Sequence, residues 1–114
     1  MSTRAIILNG ASLSGEVDLR KQRLIGVQFP AAWTAADLSF QVADVSGGTF
    51  GETFIDPGTG VGAALLLDAA ASQVSFFNTT RLIGNCFVKV RSGPSGAPVN
   101  QGGDRALILL TESM

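Results

Sequence analysis

Histidine and tyrosine are absent from this 114-residue chain, and cysteine occurs once, at Cys86. A metal site needs several Cys, His or carboxylate ligands brought together. A Ser or Cys nucleophile needs a base, most often His. A serine here would have to use Lys or Asp, and Ser92-Gly93-Pro94-Ser95-Gly96 lacks the Gly-x-Ser-x-Gly order of a nucleophile elbow. One cysteine forms no internal disulfide, and Cys86, at the start of an expected strand, reads as a small hydrophobe. The expectation is a non-enzymatic chain that holds no cofactor and no metal.

Charge is scarce too. Eight basic and nine acidic residues leave a net charge of −1. Nucleic-acid binders carry a basic stripe to neutralise phosphates. The nearest approach, Arg20, Lys21 and Arg23, sits beside Glu16 and Asp18 and reads as a mixed-charge surface turn, so no nucleic-acid partner is expected. Long apolar runs are also missing. Ala5 to Leu8 ends at Asn9-Gly10, far short of a signal peptide or a membrane span, and no membrane partner is expected. Near-zero charge gives little self-repulsion and permits close packing of copies.

Helical periodicity is absent, whereas a period of two is plain. Phe40-Gln41-Val42-Ala43 and Phe87-Val88-Lys89-Val90-Arg91 alternate apolar with polar side chains, as strands with one buried face do. Val, Ile, Thr, Phe and Trp supply 31 residues, types that pack well on a pleated surface. The 14 glycines supply turns. The length gives one domain, residues 1–114.

Strands are expected at 4–8, 16–19, 24–29, 38–44, 49–55, 63–67, 73–77, 87–91 and 106–110, the sixth lying in a stretch, Val61 to Ala71, that is ambiguous between strand and helix. Residues 1–15 form either an extended arm or the first strand, and 92–103 a long loop. Pro30 to Asp37 and Asn78 to Gly84 read as single helical turns or corners. Asp56-Pro57-Gly58-Thr59-Gly60 is the strongest turn signal. The glycines from Gly58 to Gly62 lack the strand and helix of a dinucleotide site, and Asp56 lacks the ligand spacing of a calcium loop. About eight short strands broken by Gly and Pro predict an all-β fold, an antiparallel β-sandwich of jelly-roll-like form. The alternation predicts Ile25, Val27, Phe29, Leu38, Phe40, Val42, Val88, Val90 and Leu109 as core. Arg23 to Phe29 echoes Arg81 to Phe87 at five of seven positions, either by chance or as equivalent corners in two halves of a sandwich.

Aromatic residues are the candidate contacts. Phe76 and Phe77 are adjacent in a strand and so point to opposite faces, which turns one ring toward solvent, a sheet edge or a neighbouring subunit. Phe50 and Phe54, four apart, are expected on one face. Trp33 is a plug over an end of the sandwich, a binding platform or a subunit contact. These five residues are interface candidates, and a carbohydrate-binding module competes for the same rings.

Several segments together resemble a family of small virion proteins of tailed bacteriophages: Val17-Asp-Leu19, Arg23-Leu-Ile-Gly-Val-Gln-Phe-Pro-Ala-Ala-Trp33, Leu38-Ser-Phe-Gln41, Val88-Lys-Val-Arg-Ser-Gly93 and Pro98-Val-Asn-Gln101. The resemblance runs from Val17 to Leu110, with Gly102-Gly103 standing where alanines are expected. It implies a β-sandwich that decorates and cements the capsid shell, with the major capsid protein as partner and a homotrimer as the assembled form. Its place would be the capsid surface of the virion, assembled in the host cytoplasm. A head or tail fibre component is the neighbouring alternative. The resemblance carries over no catalytic residue.

Overall fold

The structure is a computed structural model that describes residues 1–55, 63–77 and 83–114. The Asp56–Gly60 turn, the glycines to Gly62, and residues 78–82 of the second expected corner lie outside the described residues.

Among the described residues eleven strands run in chain order: β1 (Ser2–Ile7), β2 (Val17–Asp18), β3 (Gln22–Gln28), β4 (Leu38–Ala43), β5 (Gly51–Glu52), β6 (Phe54–Ile55), β7 (Ala63–Ala64), β8 (Val74–Phe76), β9 (Ile83–Gly84), β10 (Phe87–Ser92) and β11 (Arg105–Ser113). Every pairing is antiparallel. One sheet has the order β1-β11-β3-β8, with β9 also on β3, and the other has the order β2-β10-β4-β5. We call them the first and second sheets. β6 and β7 form a separate two-stranded ribbon.

The order carries the topology. Leaving aside the two-residue β6, β7 and β9, eight strands remain, and they nest as four pairs: β1 with β11, β2 with β10, β3 with β8, β4 with β5. This is one long hairpin rolled so that successive pairs fall in alternate sheets, which is the jelly roll. The predicted sandwich of about eight strands is what forms. Ser2–Ile7 is a strand of the first sheet. Residues 63–67 are extended, with Leu65 and Leu67 buried, Leu66 exposed and Leu67 bridged to Leu38. Among the described residues there is no helix, so Pro30 to Asp37 turns as a bent corner.

The core lies between the sheets. Ala5, Ile7, Leu24, Val27, Leu107 and Leu109 come from the first sheet, and Val17, Leu38, Phe40, Val88 and Val90 from the second. Each large side chain fully removed from water contributes about 1.5–3 kcal/mol. Trp33 closes one end. Its ring lies 5.2 Å from Phe29 between centroids, and its Nε1–H donates to the Ala36 carbonyl at 3.1 Å.

One predicted core position is corrected. Ile25 is half-buried, and Leu24 takes the inward place. Leu110 opposes Gly26 while Thr111 opposes Leu24, so Ile25 is the extra residue of a β-bulge and the alternation restarts across it. Val42 is partly buried and packs against the core as expected. The internal echo is not split between two halves of the sandwich. Its described parts lie side by side, Arg23 opposite Gly84 and Leu24 opposite Ile83.

The loop from Gly93 to Asp104 is tied down. Gly93 sits at φ +89°, and a Cβ there would fall 2.7 Å from the Ala97 carbonyl oxygen, so glycine is required by both conformation and space. Gln101 is the main anchor. Its amide N–H donates to Ala11 and its carbonyl accepts from Gly10, both at 2.9 Å. Its buried side chain accepts from the Thr34 N–H at 2.9 Å and donates to the Thr34 carbonyl at 3.1 Å.

Candidate functional site

The two outward faces of the sandwich differ in chemistry, the second sheet's being richer in paired polar groups and the first's in exposed apolar side chains. On the second sheet, the outward row of β10 is Phe87, Lys89 and Arg91, beside Ala43, Gln41 and Ser39 of β4. Arg91 donates to both carboxylate oxygens of Glu52, at 2.7 and 2.6 Å, and through Nε to Ser39 Oγ at 2.9 Å. Gln41 adds a bond to Glu52 at 3.0 Å. The Arg91 guanidinium, with help from Gln41, holds the Glu52 carboxyl down at about 2. Lys89 lies 4.5 Å from the centre of the Phe50 ring, and Arg20 lies 5.1 Å from that of Phe87 while pairing with Asp18 at 2.8 Å. This face spends its polar groups on itself.

The first sheet turns apolar side chains outward. Register fixes the rows. Ser2, Leu110, Gly26 and Phe76 stand across the four strands in one row, and Arg4, Ile108, Gln28 and Val74 in the next. Ile6 and Ala106 continue the pattern. Ile6 is 48% exposed, Val74 40% and Phe76 64%. Leu110 and Ile108 are half-buried by neighbours on their own face. Arg4, Gln28 and the Arg23–Glu112 ion pair share this face, and exposed apolar side chains gathered on one face mark a candidate partner surface.

The five predicted contact residues fall in different environments. Phe76 projects from the apolar face. Phe77 turns inward as its neighbour, half-buried, 5.4 Å from Phe40 between centroids. Phe54 is 65% exposed on the β6–β7 ribbon, away from Phe50, because the chain leaves the second sheet at Thr53. Phe50 lies half-buried under Lys89 on the polar face. Trp33 is only 9% exposed and is the end plug rather than a platform. Sequence reasoning missed Ile6, Val74, Ile108 and Leu110. For Ile108 and Leu110 the signal was present in Ala106 to Leu110, an unbroken apolar run on a central strand that makes both faces apolar.

An open groove of about 530 Å³ runs beside β8, between Leu65–Asp68 and Gln73–Phe77. A second, of about 490 Å³, holds Glu16, Asp18 and Asp44 with Arg20. Its carboxylates are partly engaged: Glu16 accepts from Ser46 and the Gly47 amide, and Asp18 from Arg20. Those bonds lower the Glu16 carboxyl and bring Asp18 to about 2. Among the described residues no group of three or more His, Cys, Asp or Glu side chains is placed to hold a metal ion, and no helix is long and apolar enough to cross a membrane. Comparison with protein-family models, curated proteins and solved structures returned no match.

Proposed function

We propose that this chain is a structural virion protein that decorates and cements the capsid shell of a tailed bacteriophage, its partner being the major capsid protein and its assembled form a homotrimer. The observation that supports this reading is the contrast between the two faces: Ile6, Ile108, Leu110, Val74 and Phe76 open outward on one, while Arg91, Glu52, Gln41 and Lys89 are self-paired on the other. A decorating protein needs a rigid body with one adhesive side. A weak apolar contact is then multiplied by the symmetry of the shell.

Carbohydrate binding is the second reading, favoured by the exposed Phe76 ring. Sugar recognition wants hydrogen-bonding side chains around the stacking ring; Asp68 and Gln73 line the groove beside Phe76, while the ring's own row offers Gly26 and Leu110, and the protein-surface reading rests on that row.

The test is a cryo-EM map of particles mixed with the purified chain, beside a glycan array. The expected result is ordered density bridging capsid subunits with the first sheet facing the shell. Density confined to a fibre tip, or glycan binding by a protein that ignores shells, would overturn the reading.

A further inference from the structure

Among the described residues no strand pairs with the outer side of β1 or of β8, and the two edges match each other. Met1 exchanges backbone hydrogen bonds with Thr111, at 2.9 Å from the Thr111 amide and 3.1 Å from the N-terminal amine. The antiparallel period therefore gives Thr3, Ala5 and Ile7 to β11 and turns the amides and carbonyls of Ser2, Arg4 and Ile6 away from it. At the other edge, Phe29 donates to Gln73 and Phe77 to Ile25, both at 2.9 Å, so Val74 and Phe76 likewise point their backbone groups outward. Open edges of this kind template strand addition.

We infer that copies of this chain join head to tail through the first sheet, the β1 edge of one copy pairing with the β8 edge and groove of the next. Three features select this arrangement. Direction is the first: each neighbour in β1-β11-β3-β8 is antiparallel, so β1 and β8 run oppositely and meet as an antiparallel pair when the sheet is continued sideways. The second is charge. β1 presents exposed Arg4 among exposed Ile6 and Leu8, while the groove beside β8 presents Asp68 among Leu66, Val74 and Phe76. Third, the self-pairing rival is disfavoured. A two-fold β1–β1 contact that uses all three outward residues sets Arg4 against its own copy, and like charges directly opposite destabilise strand pairs. A head-to-tail contact closes into a ring or runs on as a filament, and a ring of three is the assembled form proposed above. The contact needs no shell, so it can be tested on the free protein.

The experiment is sedimentation velocity on the purified full chain, with charge exchange between the two edges. Wild type is expected to sediment as a closed oligomer. Arg4→Asp and Asp68→Arg should each weaken association about tenfold or more, through like charges brought together. The double variant, which restores one charge of each sign, should recover most of it. Both side chains are exposed, and circular dichroism checks that the fold is kept. Phe76→Ser is a second, uncharged break at the β8 edge. A wild type that stays monomeric at high concentration overturns the proposal, as do single variants that assemble normally or a double variant that fails to recover. A monomer that still coats shells would sink this contact and leave the decorating role standing. An oligomer that ignores shells would do the reverse.

Discussion

The Phe76 ring lies against the bare backbone of Gly26, its partner across β3 and β8. A Cβ on Gly26 would stand 2.9 Å from Phe76 Cδ1 and 2.7 Å from the Ser75 carbonyl oxygen. The aromatic ring covers glycine backbone on the outward face of the sheet that would otherwise be exposed. Gly26→Ala is therefore expected to destabilise the fold by about 1–3 kcal/mol, the cost of overpacking against backbone that cannot move away. Urea unfolding checks this. An unchanged midpoint would mean that β8 shifts freely.

Phe76→Ala tests the other half of that pair. The ring is mostly exposed, so the isolated chain should lose only about 0.2–1 kcal/mol, the range of a cross-strand contact. Trp33→Ala should behave differently, because its ring caps the core against Phe29 and its N–H is satisfied by Ala36. About 3–5 kcal/mol is expected there. The ratio of the two midpoint shifts distinguishes the plug from the outward ring. Equal shifts would contradict the placement.

Gln101 is the buried polar residue whose loss should be felt farthest. Its side chain serves both backbone groups of Thr34 and also accepts from Arg105 Nε at 3.3 Å. Gln101→Leu keeps the volume and removes those partners, leaving the exposed Thr34 backbone to bond water instead, for a cost of about 0.5–1.5 kcal/mol per bond lost. Amide exchange should rise at Thr34 and along residues 93–104, while β4 and β10 stay protected. Exchange rising equally everywhere would mean that the residue holds the core and not the corner.

Much of the fold was legible because the strands alternate. Val88, Val90 and Phe40 fall inward as the period of two requires. The eight-strand count followed from turn residues and strand spacing. Pairing order was not legible, since the contacts that nest β1 with β11 and β2 with β10 join residues far apart in sequence. The bulge at Ile25 was hidden for a related reason: it is set by the register against Leu110 and Thr111, and the local pattern favours Ile25 over Leu24. Of the surface, the Phe76-Phe77 pair announced that one ring faces out. The remaining apolar positions became a face only when register aligned Ile6, Ile108, Leu110 and Val74 across four strands.

Cys86 is half-buried against the core, and burial pushes its thiol pKa above the ordinary cysteine value. The thiolate is the reactive form. Modification by a disulfide reagent at neutral pH is therefore expected to be slow in the folded chain and fast in urea. Rapid labelling of the native protein would contradict the burial. Cys86→Ala removes little volume from a partly open site and should cost less than a full core truncation.

Stability should fall in acid through Glu52. Its folded-state carboxyl lies at about 2, below the usual value of 4.5, chiefly because Arg91 donates to both of its oxygens. A depressed pKa means that the folded state favours the charged form. The contribution is fully present above the unfolded value and is lost as pH falls through the folded one, so the window runs from about 4.5 down to about 2. Arg91 is buried and Glu52 partly open, so after solvent screening the pair supplies about 1–3 kcal/mol. Glu52→Gln should cost about that much at neutral pH and flatten the decline between those values. Asp18, held at about 2 by Arg20, titrates in the same direction, but it is fully exposed and should leave only a shallow residual slope. The check is a series of urea unfolding midpoints from pH 7 to 2 for wild type and E52Q. Curves that stay parallel throughout would mean that Arg91 finds another acceptor when Glu52 is gone.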